Sequence, residues 1–332
     1  VLEAYLNWPK QIKGALESWG KYRVEGLFNE VLVVGMGGSG IVGDYLQVLS
    51  LTRGSIPVYT VKSHILPSFV DENTLIIAVS YSGNTHETLS ALRKAIASRA
   101  KVVTVSSGGI LENEALKHKL LYIPVPSGLQ PRASLPAMLY SILGLLDSSG
   151  YSLVTGKEAY ESLKFLEANT EHAELVAGEI AKWVYEKVIG EERLFVIATH
   201  TPLDSLALRG KNEFNENSKL IVNVDIAPEW MHNSIVGYEH PVTRRFFALE
   251  IVDPEDEAGF KLVEFMEKIY SQHDAVAYKL TLRGGNILEK LMYGSLVLGL
   301  TSVMLAELRG LNPAETKNIT LYKQEASKIF HK

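Results

Sequence analysis

The sequence predicts an α/β protein made of two doubly wound parallel sheets, each flanked by helices. Short runs of branched apolar residues recur without polar alternation, as strands buried on both faces require. Helix-length segments separate these runs, and the alternation restarts after the polar cluster Asp147-Ser-Ser-Gly150. That places two domains at residues 1–150 and 151–332. A length of 332 residues, with 46% hydrophobic and 21% charged residues, fits two globular domains with sizeable cores.

In chain order, the first domain offers strands at 31–34, 58–61, 75–79, 101–105 and 121–125. Helical patterns fall at 41–51 and 85–99, and a longer one at 135–146 carries Pro136 in its first turn. Beyond the punctuating cluster, charged helical stretches cover 158–169 and 171–189. Strands are then expected at 194–198, 219–222, 246–252 and 275–280. The least polar window, 292–306, is bracketed by Glu289, Lys290, Glu307 and Arg309. It is too short to span a bilayer and reads as a buried helix.

Composition excludes several classes of function. The absence of cysteine removes disulfides, thiolate metal sites and cysteine nucleophiles. A net charge of −5 provides no basic excess for a nucleic-acid track, and residues 1–29 mix charges and aromatics unlike a signal peptide. A cytoplasmic protein with neither a nucleic-acid nor a membrane partner is expected. There is no His-x-x-x-His or His-Glu-x-x-His, so no metal site is expected, and a cupin-type zinc isomerase is disfavoured.

Two loops carry chemistry. The first strand runs into Gly35-Met-Gly37-Gly38-Ser39-Gly40, which matches G-x-G-x-x-G. A dinucleotide site also needs an acidic residue after the second strand, but Lys62, Ser63 and His64 stand there. Nicotinamide binding is thereby demoted, and no cofactor is expected. The third strand ends in Ser80-Tyr-Ser82-Gly-Asn-Thr85-His-Glu87-Thr88. Three hydroxyls in S-x-S-x-x-T spacing, at a strand's carboxyl end and a helix's amino end, suit a phosphate monoester. Helix capping alone would need only one of them.

These two loops together resemble the sugar isomerase (SIS) domain, a fold that binds phosphosugars. With them, Pro131-Arg132-Ala-Ser-Leu-Pro136, Asn215-Glu216-Asn217-Ser-Lys219 and His232-Asn233 resemble the archaeal-type bifunctional phosphoglucose/phosphomannose isomerases. The resemblance covers essentially the whole chain. It implies two SIS domains and interconversion of glucose 6-phosphate or mannose 6-phosphate with fructose 6-phosphate. It implies a phosphate held by Ser39, Ser80, Ser82 and Thr85 alongside backbone amides of the loop containing Gly37 and Gly38.

It further implies that Glu216 shuttles a proton between C2 and C1, a task for which partial burial suits a carboxylate. Glu213, one turn earlier, is its competitor. By the same resemblance His232 takes part in ring opening and enters the site of a partner subunit, which makes the protein an obligate homodimer. Arg132, held by the Pro131 context, can stabilise charge on an enediolate. Lys323 matches a family lysine that assists ring opening, with Lys317 and Lys328 as rivals and Tyr322 where a leucine is usual. Thr316 fits a family position that leaves room beside C2, so that the C2 epimer is also processed; a helix cap is the other reading. Two further classes compete. A non-catalytic phosphosugar sensor would not need Glu216, His232 and Lys323 together. An aminotransferring synthase would need a cysteine nucleophile, and the sequence contains no cysteine.

Overall fold

The computed structural model describes residues 1–54, 56–240 and 245–330 and divides into two compact units. Residues 3–164 and 316–330 form the first, and residues 165–315 the second. The division therefore falls at 164/165 instead of 150, and the C-terminal segment groups with the first unit.

The chain opens with α1 (Leu2–Leu6) and α2 (Trp8–Glu17). The first sheet is entirely parallel, in the order β2-β1-β3-β4-β5. Its strands are β1 (Glu30–Val34), β2 (Val58–Val61), β3 (Thr74–Val79), β4 (Lys101–Ser106) and β5 (Leu121–Pro124). Every residue of central β3 is buried, which is what the unalternated run Leu-Ile-Ile-Ala-Val demands. Around the sheet lie α3 (Gly37–Arg53), α4 (His86–Ala97), α5 (Gly109–His118) and α6 (Leu135–Ser148). A short 3₁₀ turn, Pro131–Ser134, leads into α6. Helix α3 begins at Gly37, earlier than the apolar pattern at 41 suggested, because the glycine turn itself winds into its first turn.

Helix α7 (Gly156–Val184) continues into a π turn, Tyr185–Gly190. The two expected helices at 158–169 and 171–189 are thus one. The polar side chains at the supposed break return their bonds to the helix: Asn169 Nδ2 to Phe165 O at 2.9 Å and Thr170 Oγ1 to Leu166 O at 2.8 Å.

The second sheet is also parallel, in the order β7-β6-β8-β9. It comprises β6 (Leu194–His200), β7 (Val222–Ala227), β8 (Phe246–Val252) and β9 (Val276–Thr281), with α8 (Asp204–Ser218), α9 (Glu257–Ser271) and α10 (Ile287–Leu308) around it. Strand β7 starts where the expected strand at 219–222 ends. Helix α8 runs on to Ser218, Lys219 closes it at φ 55°, and Ile221 is left 86% exposed in the turn. Helix α10, at 22 residues, is longer than the window at 292–306 suggested and by length and composition could cross a membrane, yet 83% of its most apolar window is buried, as in a core helix. The last helix, α11 (Lys317–Phe330), packs along α4 in the first unit.

Candidate active site

In the first unit, the loops after β1 and β3 meet at the carboxyl edge of the sheet. The buried Ser39 hydroxyl accepts the Tyr81 N–H at 3.0 Å and so clamps one loop to the other. The Ser80 and Thr85 hydroxyls are 2.9 Å apart, and Ser82 Oγ accepts the Asn84 N–H at 3.3 Å. Three of the predicted residues, Ser80, Ser82 and Thr85, therefore lie within one small turn, and Ser39 of α3 is bonded to it. Gly83 shapes it: φ is +68°, and a Cβ there would lie 1.8 Å from Gly108 O.

Thr85 is the N-cap of α4 by position, but its side chain makes no capping bond. The first intrahelical bond is Leu89 N–H to Thr85 O at 3.0 Å, so the amides at 86–88 have no carbonyl within the helix to bond. Capping by Thr85 thus does not account for the hydroxyls. The helix start presents oriented amides beside two paired hydroxyls, an arrangement suited to an anion.

The turn that carries Arg132 packs its backbone against the head of α3. A Cβ on Gly38 would lie 2.7 Å from the Arg132 nitrogen and 2.8 Å from Pro131 C, so only glycine allows α3 to approach this turn. The turn is pinned from behind, because Trp8 Nε1 and Gln11 Nε2 both donate to Ala133 O, at 3.0 and 2.9 Å. Arg132 is 4% exposed. Gly37, with φ +52°, stands exposed at the head of α3.

Helix α11 reaches the same region through an interaction that the motifs did not suggest. The Tyr322 hydroxyl donates a hydrogen bond to Glu87 Oε1, in the first turn of α4. That carboxylate holds the Tyr322 phenol above its ordinary range. Lys323 follows on the exposed side of α11 and has no ion-pair or hydrogen-bond partner among the described residues. Thr316 sits just before the helix, where its carbonyl accepts the Thr320 N–H at 3.1 Å.

The second unit separates its two candidates. Glu216 is half-buried in the last turn of α8, whose carbonyls are gathered by Lys219 Nζ (2.7 Å to Glu216 O). The rival Glu213 is 1% exposed, faces Arg209 at 2.6 Å and accepts Asn217 Nδ2 at 3.0 Å. A carboxylate committed in this way is poorly placed to exchange protons.

His232 ends a 3₁₀ turn, Glu229–His232, after the carboxyl end of β7 and is exposed. Glu216 lies at the opposite, amino edge of the same sheet, since α8 runs back for 15 residues, about 22 Å. Within one unit the fold therefore does not bring Glu216 and His232 together.

Behind His232, half-buried Asp225 accepts the Tyr270 hydroxyl at 2.7 Å, and Trp230 stacks edge-on against Tyr270. Burial pushes the Asp225 carboxyl up, and burial together with Asp225 raises both Tyr270 and Tyr238. This hub holds the His232 turn. Sequence reading missed it, because an aspartate inside a strand gives no signal of its partners.

Comparison with known proteins agrees with the geometry. Residues 29–146 match the SIS domain model, and residues 174–325 match that of the bacterial phospho-glucose isomerase C-terminal SIS domain. The bifunctional phosphoglucose/phosphomannose isomerase of Aquifex aeolicus is 34% identical over 91% of each chain. The protein of the same name from Aeropyrum pernix is 32% identical over 97% of this chain and 96% of that one. The C-terminal domain of glucosamine-fructose-6-phosphate aminotransferase from Francisella tularensis shares the fold, with a TM-score of 0.73 and 14% identity over 93% of this chain and 96% of that one.

Proposed function

The chain belongs to the family of bifunctional phosphoglucose/phosphomannose isomerases and is an aldose–ketose isomerase; on that footing we propose that it interconverts glucose 6-phosphate and mannose 6-phosphate with fructose 6-phosphate through a cis-enediolate. The observation that carries the substrate class is the uncapped start of α4 beside the Ser80–Thr85 hydroxyl pair. There Ser39, Ser80, Ser82 and Thr85, with amides from Gly37, Gly38 and the first turn of α4, hold the phosphate.

Lys323 and His232 open the ring. Glu216 then removes the C2 proton and returns it to C1 while the hydroxyl proton passes from O2 to O1, and Arg132 stabilises the negative charge on the enediolate oxygens. The oxidation levels of C1 and C2 exchange within one molecule, so the step balances without a redox cofactor, and side chains carry it without a metal. Space beside C2 next to Thr316 lets the epimeric aldose react.

The placement of Glu216 and His232 at opposite edges of one sheet supports a homodimer in which His232 serves the neighbouring subunit. A coupled assay of fructose 6-phosphate formed from each aldose, run in chelator, tests this reading. Turnover of both is expected. Activity lost to chelator would refute the metal-free route, and activity on one aldose alone would refute the dual specificity.

A further inference from the structure

We propose that the hydrogen bond from the Tyr322 hydroxyl to the Glu87 carboxylate positions Lys323, by fixing the amino half of α11 on the turn that receives the substrate phosphate. The inference rests on the ring-opening role proposed above for Lys323. Glu87 is 8% exposed, and a carboxylate so buried requires a donor. Tyr322 donates from a point 235 residues away in sequence, on a side chain that is itself 47% exposed. Glu87 lies two residues after Thr85, in the same turn whose amides face the hydroxyl cluster.

Ala326 is the one buried residue of α11 among those described, and Leu321 and Ile329 are each 60% exposed. At its far end the Phe330 ring lies 5.3 Å from that of His64. Ala326 and Phe330 thus hold the helix near its middle and its end, and the Tyr322–Glu87 bond holds it at the level of Lys323. Lys323 has no partner of its own among the described residues, so its place is set by the helix that carries it. Tyr322 is a positioning residue, and the phenol hydroxyl is the atom that matters.

The test is a double-mutant cycle of Tyr322→Phe and Lys323→Ala. Tyr322→Phe is expected to lower kcat about tenfold, leaving KM and inhibition by inorganic phosphate unchanged, since the hydroxyl cluster is untouched. In the Lys323→Ala background the same change should have no further effect. Additive losses, or full kcat in Tyr322→Phe beside an impaired Lys323→Ala, would overturn the proposal. Full activity of Lys323→Ala would instead strike the role of the lysine, and the positioning claim with it. Amide hydrogen exchange across 317–330 provides a readout independent of turnover. It should speed up in Tyr322→Phe, and unchanged exchange there contradicts the tie.

Discussion

The two sheets share a strand order, β2-β1-β3-β4 in one and β7-β6-β8-β9 in the other, so the loop after β3 and the loop after β8 occupy corresponding places. Their chemistry is opposite. The first reads Ser80-Tyr-Ser82-Gly-Asn-Thr85, and leaves the start of α4 without a side-chain cap. The second reads Asp253-Pro-Glu255-Asp256, and Asp256 caps α9 by accepting the Gly259 N–H at 2.9 Å. Its other carboxylates hold Lys290, with Asp253 at 2.9 Å and Glu255 at 2.6 Å. A helix start attracts negative charge in either case. At the cap position the second unit supplies a carboxylate that bonds the helix, whereas the first supplies a threonine hydroxyl that does not.

The largest expected effect breaks this contrast in the first unit. Ser80→Ala combined with Thr85→Val removes two donors to a charged group, and should weaken phosphosugar binding by about 100-fold or more, measured as KM or by titration calorimetry. Next comes the core of the second sheet, where central strand β8 carries Glu250 while β3 is apolar beyond Thr74. Burial, and then Glu267, push the Glu250 carboxyl up from 4.5 to about 8, against an opposing pull from Lys279. Its folded pKa exceeds its unfolded one, so its stabilising contribution is complete below about pH 4.5 and is lost as pH rises towards 8. Glu250→Gln should flatten the denaturation profile in that window by up to about 1.4 kcal/mol per pH unit. The smallest effect sharpens the contrast from the other side. Asp256→Ala should cost about 1 kcal/mol of stability through the lost cap, with KM unchanged.

Much of this was legible in the sequence. Unalternated strands and glycine-rich strand ends follow from local rules, so the two sheets and the hydroxyl loop could be read directly. The burial of Glu213 against Arg209 could not, because Glu213 and Glu216 lie on one helix within a turn of each other and no local pattern tells their surroundings apart. Helix α7 read as two because Asn169 and Thr170 favour breaks unless their side chains bond back, as they do here. The Glu87–Tyr322 bond and the grouping of 316–330 with the first unit are long-range facts that no local pattern encodes. Glu87 already stood in the hydroxyl motif, but the motif assigns it no partner.

In the proposed reaction a loop binds the phosphate and a carboxylate moves the proton. Titration of Glu216→Gln with fructose 6-phosphate, beside a turnover assay of the same protein, tests that division most directly. Saturable binding near wild-type affinity is predicted, with activity reduced by about 10³-fold or more. Full turnover in this variant would contradict the assignment of the proton shuttle to Glu216.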